Sequence, residues 1–329
     1  MRGLPTRRNC LQIGAGALAS ATLQAVGQAF PERVVRIVVA YPPGGPLDFV
    51  ARLLSPGVAK RLMQPVIVEN RPGGNGLIAA QYVASAKPDG HTLHLCLTTP
   101  YSMLPAMHRR PLAFDPNART DILLAAAVQS VLVVHPRTGM KSMKDYIGRA
   151  TQNPGLLTYA SPGTAQIFTL AKELLKVRLN LDVRQIPYQG VAPALQAVLA
   201  GTVDCALLDV GTTAPHVAAG RLVPLCVLGK QRSSAMQSVP TLEEVGLHAL
   251  DIPLIWIGVV APPEVPPAIA DRLNSEFNKE LQEPAVQVAL AQQSLDPLGG
   301  SSTQLKSSID NDTRIWGTLI RKLDLRLDK

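Results

Sequence analysis

The feature that most restricts this chain is a strand running straight into a proline- and glycine-rich turn and then into a helix, a pattern that occurs three times. Residues 34–40 read VVRIVVA, the short β-branched run that a parallel sheet buries on both faces. Tyr41-Pro42-Pro43-Gly44-Gly45-Pro46 follows at once, and residues 47–62 then take helical spacing, with Asp48 in or just before the first turn. Residues 66–69 run likewise into Asn70-Arg71-Pro72-Gly73-Gly74-Asn75-Gly76 and a helix to about residue 86, and residues 157–160 into Ser161-Pro162-Gly163-Thr164 and a helix to about residue 177. Further strands are expected at 92–97, 132–134, 183–187, 203–208, 223–228 and 254–260. Further helices are expected at 142–150, 192–200, 267–282, 284–293 and 302–323. Strands and helices alternating at this spacing predict right-handed βαβ units, mostly parallel sheets, and two lobes with a late return to the first.

Composition agrees and removes alternatives. A chain of 329 residues, 47% hydrophobic and only 17% charged, is long enough for two cores and too apolar to stay disordered. Aromatics make up 4%, too few for a nucleic-acid stacking platform, so the +8 charge is not read as a nucleic-acid footprint.

Part of that charge belongs to an address. Residues 1–29 hold Arg2, Arg7 and Arg8 and no acidic side chain, and 13–29 carry no charge before the small-x-small ending Gly27-Gln28-Ala29. This is the layout of a secretory signal peptide cleaved near Ala29. Thr6-Arg7-Arg8-Asn9-Cys10-Leu11-Gln12 also resembles a twin-arginine signal, with Cys10 where an aromatic is usual, so Sec export is an equal reading. Without these 29 residues the net charge falls to +5, and the mature protein is expected outside the cytoplasm. Of its cysteines, Cys96, Cys205 and Cys226, the last two are the better pair if any forms, and buried free thiols are the simpler expectation.

Three small-residue loops at strand ends point to a ligand site. In such sheets ligands sit at the carboxyl ends of strands, where helix N-termini present free N–H groups and positive dipole ends to an anion. Enzyme signatures are missing. There is no G-x-x-x-x-G-K-[ST], Ser161 lacks a G-x-S-x-G elbow, and no nucleophile comes with a base and an orienting partner. His91 and His94, near Cys96, sit three apart on a strand-like segment and face opposite sides, so they are read as a surface pair and not as metal ligands. No metal or cofactor is expected.

The motifs Tyr41-Pro42-Pro43-Gly44-Gly45-Pro46-Leu47-Asp48, Val68-Glu69-Asn70-Arg71-Pro72-Gly73, Lys87-Pro88-Asp89-Gly90, Ile186-Pro187-Tyr188-Gln189-Gly190, Gly201-Thr202-Val203-Asp204, Pro215-His216 and Ala219-Gly220-Arg221-Leu222 occur in order. Together they resemble the Bug family, periplasmic solute-binding receptors of tripartite tricarboxylate transporters. The resemblance implies a two-lobed type II periplasmic-binding-protein fold that closes on its ligand like a Venus flytrap. Lobe one would comprise 30–130 plus 253–329 and lobe two 131–252, with crossovers near 129–132 and 249–253. It implies a small organic carboxylate as ligand, membrane permease subunits as partners, and no enzymatic activity. Docking on a signalling protein as a solute sensor is the alternative. Nothing in the sequence signals a stable oligomer, so a monomer is expected. Carried over by position, lobe-one contacts are Tyr41, Gly44, Gly45, Asp48, Thr98 and Thr99, and lobe-two contacts are Ser161, Gly163, Thr164, Tyr188 and Asp209. Asp48 serves either to select a ligand amino or hydroxyl group or to cap its helix.

The chain also departs from the family pattern. Leu47 stands where Thr is frequent, Gln189 where Lys is common, and Val210 where Asn is often seen. Ala165-Gln166-Ile167-Phe168-Thr169-Leu170 replaces a more polar, glycine-containing segment, with Thr169 in place of a frequent His. These departures predict a less polar pocket, suited to an aromatic or branched monocarboxylate.

Overall fold

Val35–Val39 form strand β1, with four of its five residues fully buried, and the strand seeds the first of two sheets. The computed structural model describes residues 30–163, 166–229, 231–247, 250, 252–325 and 327, so the expected leader lies outside the described residues. After β1 come α1 (Pro46–Leu62), β2 (Val66–Asn70), α2 (Leu77–Ala84), β3 (Thr92–Leu97), a π-helical turn at Thr99–Met103, α3 (Leu104–Met107) and β4 (Thr120–Val128). The second sheet takes over with β5 (Ser130–Val134), α4 (Met143–Gln152), β6 (Thr158–Ser161), α5 (Ile167–Leu179), β7 (Arg184–Pro187), α6 (Val191–Leu199), β8 (Cys205–Asp209), α7 (Val210–Ala218) and β9 (Val223–Val227). The chain then returns with β10 (Ile255–Ala261), α8 (Pro267–Leu281), α9 (Pro284–Gln292), β11 (Leu295–Pro297) and α10 (Ser302–Lys322).

The first sheet has the order β11-β4-β10-β3-β1-β2 and the second β7-β6-β8-β5-β9. Both are mixed, which corrects the mostly parallel expectation. The βαβ units β1-β2, β1-β3, β6-β7 and β6-β8 are parallel, whereas β10 runs antiparallel to β3 and β4, and β5 antiparallel to β8 and β9. Two of the reversed strands, β5 and β10, are those leading from one sheet to the other, and the third, β11, runs antiparallel to β4 at the edge of the first sheet. A strand entering from the neighbouring sheet meets its new partners from the opposite end. Only Gln129 separates β4 from β5: its Nε2 donates to Asp296 Oδ2, in β11 of the first sheet, at 2.6 Å, and its carbonyl accepts at 3.0 Å from Val210 N, where α7 leaves β8 of the second.

Helices cover both faces of each sheet, giving two α/β/α layers. Residues such as Ile37, Leu54, Leu93, Ile257 and Phe277 pack on one face of the first sheet, and Cys96, Tyr101, Trp256 and Leu305 on the other. α10 starts on a full capping box: Ser301 Oγ accepts from Gln304 N while Gln304 Oε1 accepts from Ser301 N. No described helix is long and apolar enough to cross a membrane.

Two minor expectations are corrected. His91 and His94 are buried, 7% and 0% exposed, and do not form a surface pair. β3 is central, between β1 and β10, so its polar residues are enclosed with it. His94 Nδ1 shares a 2.8 Å hydrogen bond with the Tyr101 hydroxyl, and burial drives its pKa down to about 3, which leaves a neutral core imidazole. Cys96, Cys205 and Cys226 are buried free thiols, and burial pushes Cys226 up to about 12.

Candidate functional site

A cavity of about 430 Å³ opens where the loops of the two sheets face each other, a size usual for a small-molecule site. The first sheet contributes the β1–α1 loop (Tyr41, Pro42, Pro43, Gly45, Pro46, Leu47), Leu97 at the end of β3, Val128 at the end of β4 and Ile255 at the start of β10. The second contributes Gln166, Ile167 and Phe168 at the start of α5, Gly190 and Val191 at the start of α6, and Asp209 and Thr212 where β8 passes into α7.

Four helix N-termini therefore converge on one space. α1, α5 and α6 begin at Gly45, Gln166 and Gly190 with no side chain capping their first N–H groups. Each such end carries roughly half a positive elementary charge together with unpaired donors. α7 differs, because Asp209 caps it: its Oδ1 accepts from Thr212 N at 2.8 Å and its Oδ2 from Thr212 Oγ1 at 2.9 Å.

Tyr41, Gly45 and Asp209 of the expected contacts lie on the cavity wall. Burial raises the Tyr41 phenol to about 12, against a lowering hydrogen bond with Thr99. Behind that wall Asp48 is 4% exposed and ties the β1–α1 loop together. Its Oδ2 accepts from Arg52 Nε at 2.9 Å and Gly44 N at 3.0 Å, and its Oδ1 from Asn70 Nδ2 at 2.9 Å. The same Nδ2 also donates to the Tyr41 carbonyl at 3.0 Å. The Arg52 bond foremost, with Gly44 and Asn70 adding and burial opposing, holds the Asp48 carboxyl down at about 2. With three donors on it, Asp48 makes the contacts of a loop anchor, and Gly44, at φ +91°, supplies the turn and one of those donors.

Thr98 and Thr99 are buried beneath the wall, Thr98 bonded through Oγ1 to Asp312 Oδ2 at 2.6 Å. In the second sheet Ser161 is fully buried. Its Oγ accepts from Gln185 Nε2 at 2.8 Å and Gly163 N at 3.3 Å, and lies 2.9 Å from Thr169 Oγ1. Thr169 donates to the Gly163 carbonyl at 2.7 Å, which spends its only proton, so Ser161 is the donor to Thr169. Gly163 itself sits at φ +134°, where a side chain would be strained. Tyr188 is half-buried against the core of its own sheet, with its N–H on the Ser161 carbonyl at 2.8 Å. Thr164 lies outside the described residues.

The wall residues Leu97, Val128, Ile255 and Val191 were not anticipated from the sequence. Leu97 is the last residue before Thr98 and was legible as a strand end. Val128 closes a strand, β4, that alanines disguised (TDILLAAAV).

The fold is shared with known proteins. Residues 50–325 match the model of the tripartite tricarboxylate transporter family receptor. The chain belongs to that family. A protein of the gbd 5' region of Cupriavidus necator is 35% identical over 309 residues, which are 94% of this chain and 93% of the relative. The structure of the periplasmic binding protein BugD superposes with a TM-score of 0.73 at 26% identity, over 90% of this chain and 99% of BugD. An adipate-bound protein of R. palustris superposes with a TM-score of 0.75 at 27% identity, over 89% of this chain and 97% of that one. The chain is thus a Bug-type receptor with the two-lobed fold of periplasmic binding proteins.

Proposed function

We propose that this receptor, once exported and cleaved near Ala29, captures a small organic carboxylate between its lobes and hands it to the membrane permease subunits of a tripartite tricarboxylate-type transporter. The observation that carries the reading is the convergence of three uncapped helix N-termini on one cavity between two sheets. They offer an anion fixed N–H donors without a mobile cation, and the adipate-bound relative supports a carboxylate as the anion.

Lobe one is then 30–130 with 253–329 and lobe two 131–252, turning about Gln129 and the return segment before β10. A ligand bonded to α1 on one side and to α5 and α6 on the other binds the closed form better, so it draws the lobes together. The chemistry is binding alone, with no reacting group required of the protein.

The test is to denature the purified protein, identify the released solute by mass spectrometry, and follow rebinding by calorimetry and by small-angle scattering. A carboxylate that rebinds and contracts the molecule is the expected result; no bound carboxylate and no contraction would sink the proposal. Cross-linking in cells to a permease subunit, and not to a sensor kinase, is expected for the transport role.

A further inference from the structure

We infer that the ligand of this cleft carries one carboxylate on an apolar body, and that dicarboxylates are poor ligands. The inference rests on the receptor reading above and narrows it. Leu97, Val128 and Ile255 form the wall on one side, and Ile167, Phe168 and Val191 face them from the other. No lysine, arginine or histidine is among the described residues of the lining, and its polar side chains besides Tyr41 are the neutral Gln166 and Thr212 and the acid Asp209. Arg52, on the nearest helix, is engaged by Asp48 and Asn70 behind the wall.

Charge then limits what enters. The ends of α5 and α6, with no acidic residue in their first turns, supply roughly half an elementary charge each, while α1 already carries the Asp48 carboxylate in its first turn. Together they can balance one carboxylate and fall short of two. The fourth end is already neutralised by Asp209. A second carboxylate would meet either hydrocarbon, losing its hydration with nothing in return, or the like charge of Asp209. A hydrocarbon or aromatic body on the same walls gains from every apolar contact it makes. Phe168 adds an aromatic surface at the mouth of α5, against which a planar ring can stack or set its edge.

Calorimetry on the purified protein with benzoate, 3-methylbutanoate, adipate and malate, after removal of any bound solute, decides the matter. Benzoate or 3-methylbutanoate binding at least tenfold more tightly than both diacids is the expected result. Adipate or malate binding as tightly as the monoacids overturns this inference and leaves the receptor reading standing. No heat from any of the four, with no carboxylate released on denaturation, overturns both. Two variants read the cause. Phe168→Asn is expected to weaken the better monoacid about tenfold and the diacids far less, a selectivity that a general loss of core packing by Phe168 does not produce. Val191→Lys, which puts a cation on the wall, is expected to raise adipate affinity about tenfold, and failure of that gain counts against the charge argument.

Discussion

Thr98 and Asp312, 214 positions apart in sequence, meet at 2.6 Å through Oγ1 and Oδ2, and Trp256 Nε1 donates to the same carboxylate oxygen at 3.0 Å. The pair ties the end of β3, beneath the cleft, to the middle of α10. Burial raises the Asp312 carboxyl to about 7, outweighing those two hydrogen bonds, which lower it. The folded protein therefore keeps a proton that the unfolded chain releases near pH 4. Stability from this group is full below that pH and is lost as pH rises through about 7. Asp312→Asn is expected to remove this slope, a change on the order of a few kcal/mol between pH 4 and 8. Urea unfolding across that range checks it, and a variant retaining the wild-type slope contradicts the assignment.

Asp48 titrates with the opposite sign. Its carboxyl is held down at about 2, so its stabilising contribution is present above pH 4 and is lost as pH falls toward 2. Asp48→Ala strips partners from Gly44, Arg52 and Asn70 and is expected to cost about 2 kcal/mol at pH 7. Ligand affinity should fall as well, because the β1–α1 loop loses its anchor. Denaturant midpoints and titration calorimetry report the two effects separately.

Thr169 holds the start of the second-sheet loop by donating to the Gly163 carbonyl while accepting from Ser161. Thr169→Val keeps the shape and removes the hydroxyl, leaving two buried polar groups short of a partner, at about 1–3 kcal/mol. Thr169→Ser should restore most of the loss. Equal stability of the valine and serine variants in thermal unfolding would show that the network carries no weight.

Lys172 is 1% exposed, with Nζ bonded to the Tyr146 hydroxyl and 4.3 Å from the centre of the Tyr146 ring. Burial lowers its pKa below 10.5, so folding takes up a penalty wherever the unfolded chain binds this proton more readily. That penalty is relieved as pH rises from the lowered value toward 10.5. Lys172→Met is expected to abolish this alkaline-side gain, measurable as guanidinium midpoints that no longer climb as pH is raised toward 10.5.

Much of this was legible because the signals are local. β3 was read from its pattern with its true ends, and α1, α6 and α8 to within a residue at either end, since strand and helix periodicities differ and proline and glycine mark the boundaries. Strand direction was less so: nothing in Ile255–Ala261 says that it enters the sheet reversed, because that depends on where the chain spent the preceding hundred residues. β11, three residues long, has no pattern of its own. Burial of His91 and His94 was hidden for a similar reason, since only the neighbouring strands enclose them. At the site the loops were visible as glycine and proline clusters. Whether a loop residue faces the cavity, as Gly45 does, or turns inward, as Asp48 does, depends on partners such as Asn70 that are distant in sequence.

The order of the first sheet bears on how the molecule is made. Among the described residues β4 pairs only with β10 and β11, both of which lie beyond residue 254, so this nine-residue strand has no described sheet partner until the last quarter of the chain arrives. β3 keeps an open edge over the same interval, exposed to pairing with other chains. All five strands of the second sheet, by contrast, come from residues 130–227 and can assemble as they emerge. Synthesis therefore delivers a complete set of second-sheet strands while the first sheet still waits for its central strand, and keeping the open β3 edge from pairing elsewhere through that wait is the demand this topology places on whatever escorts the chain.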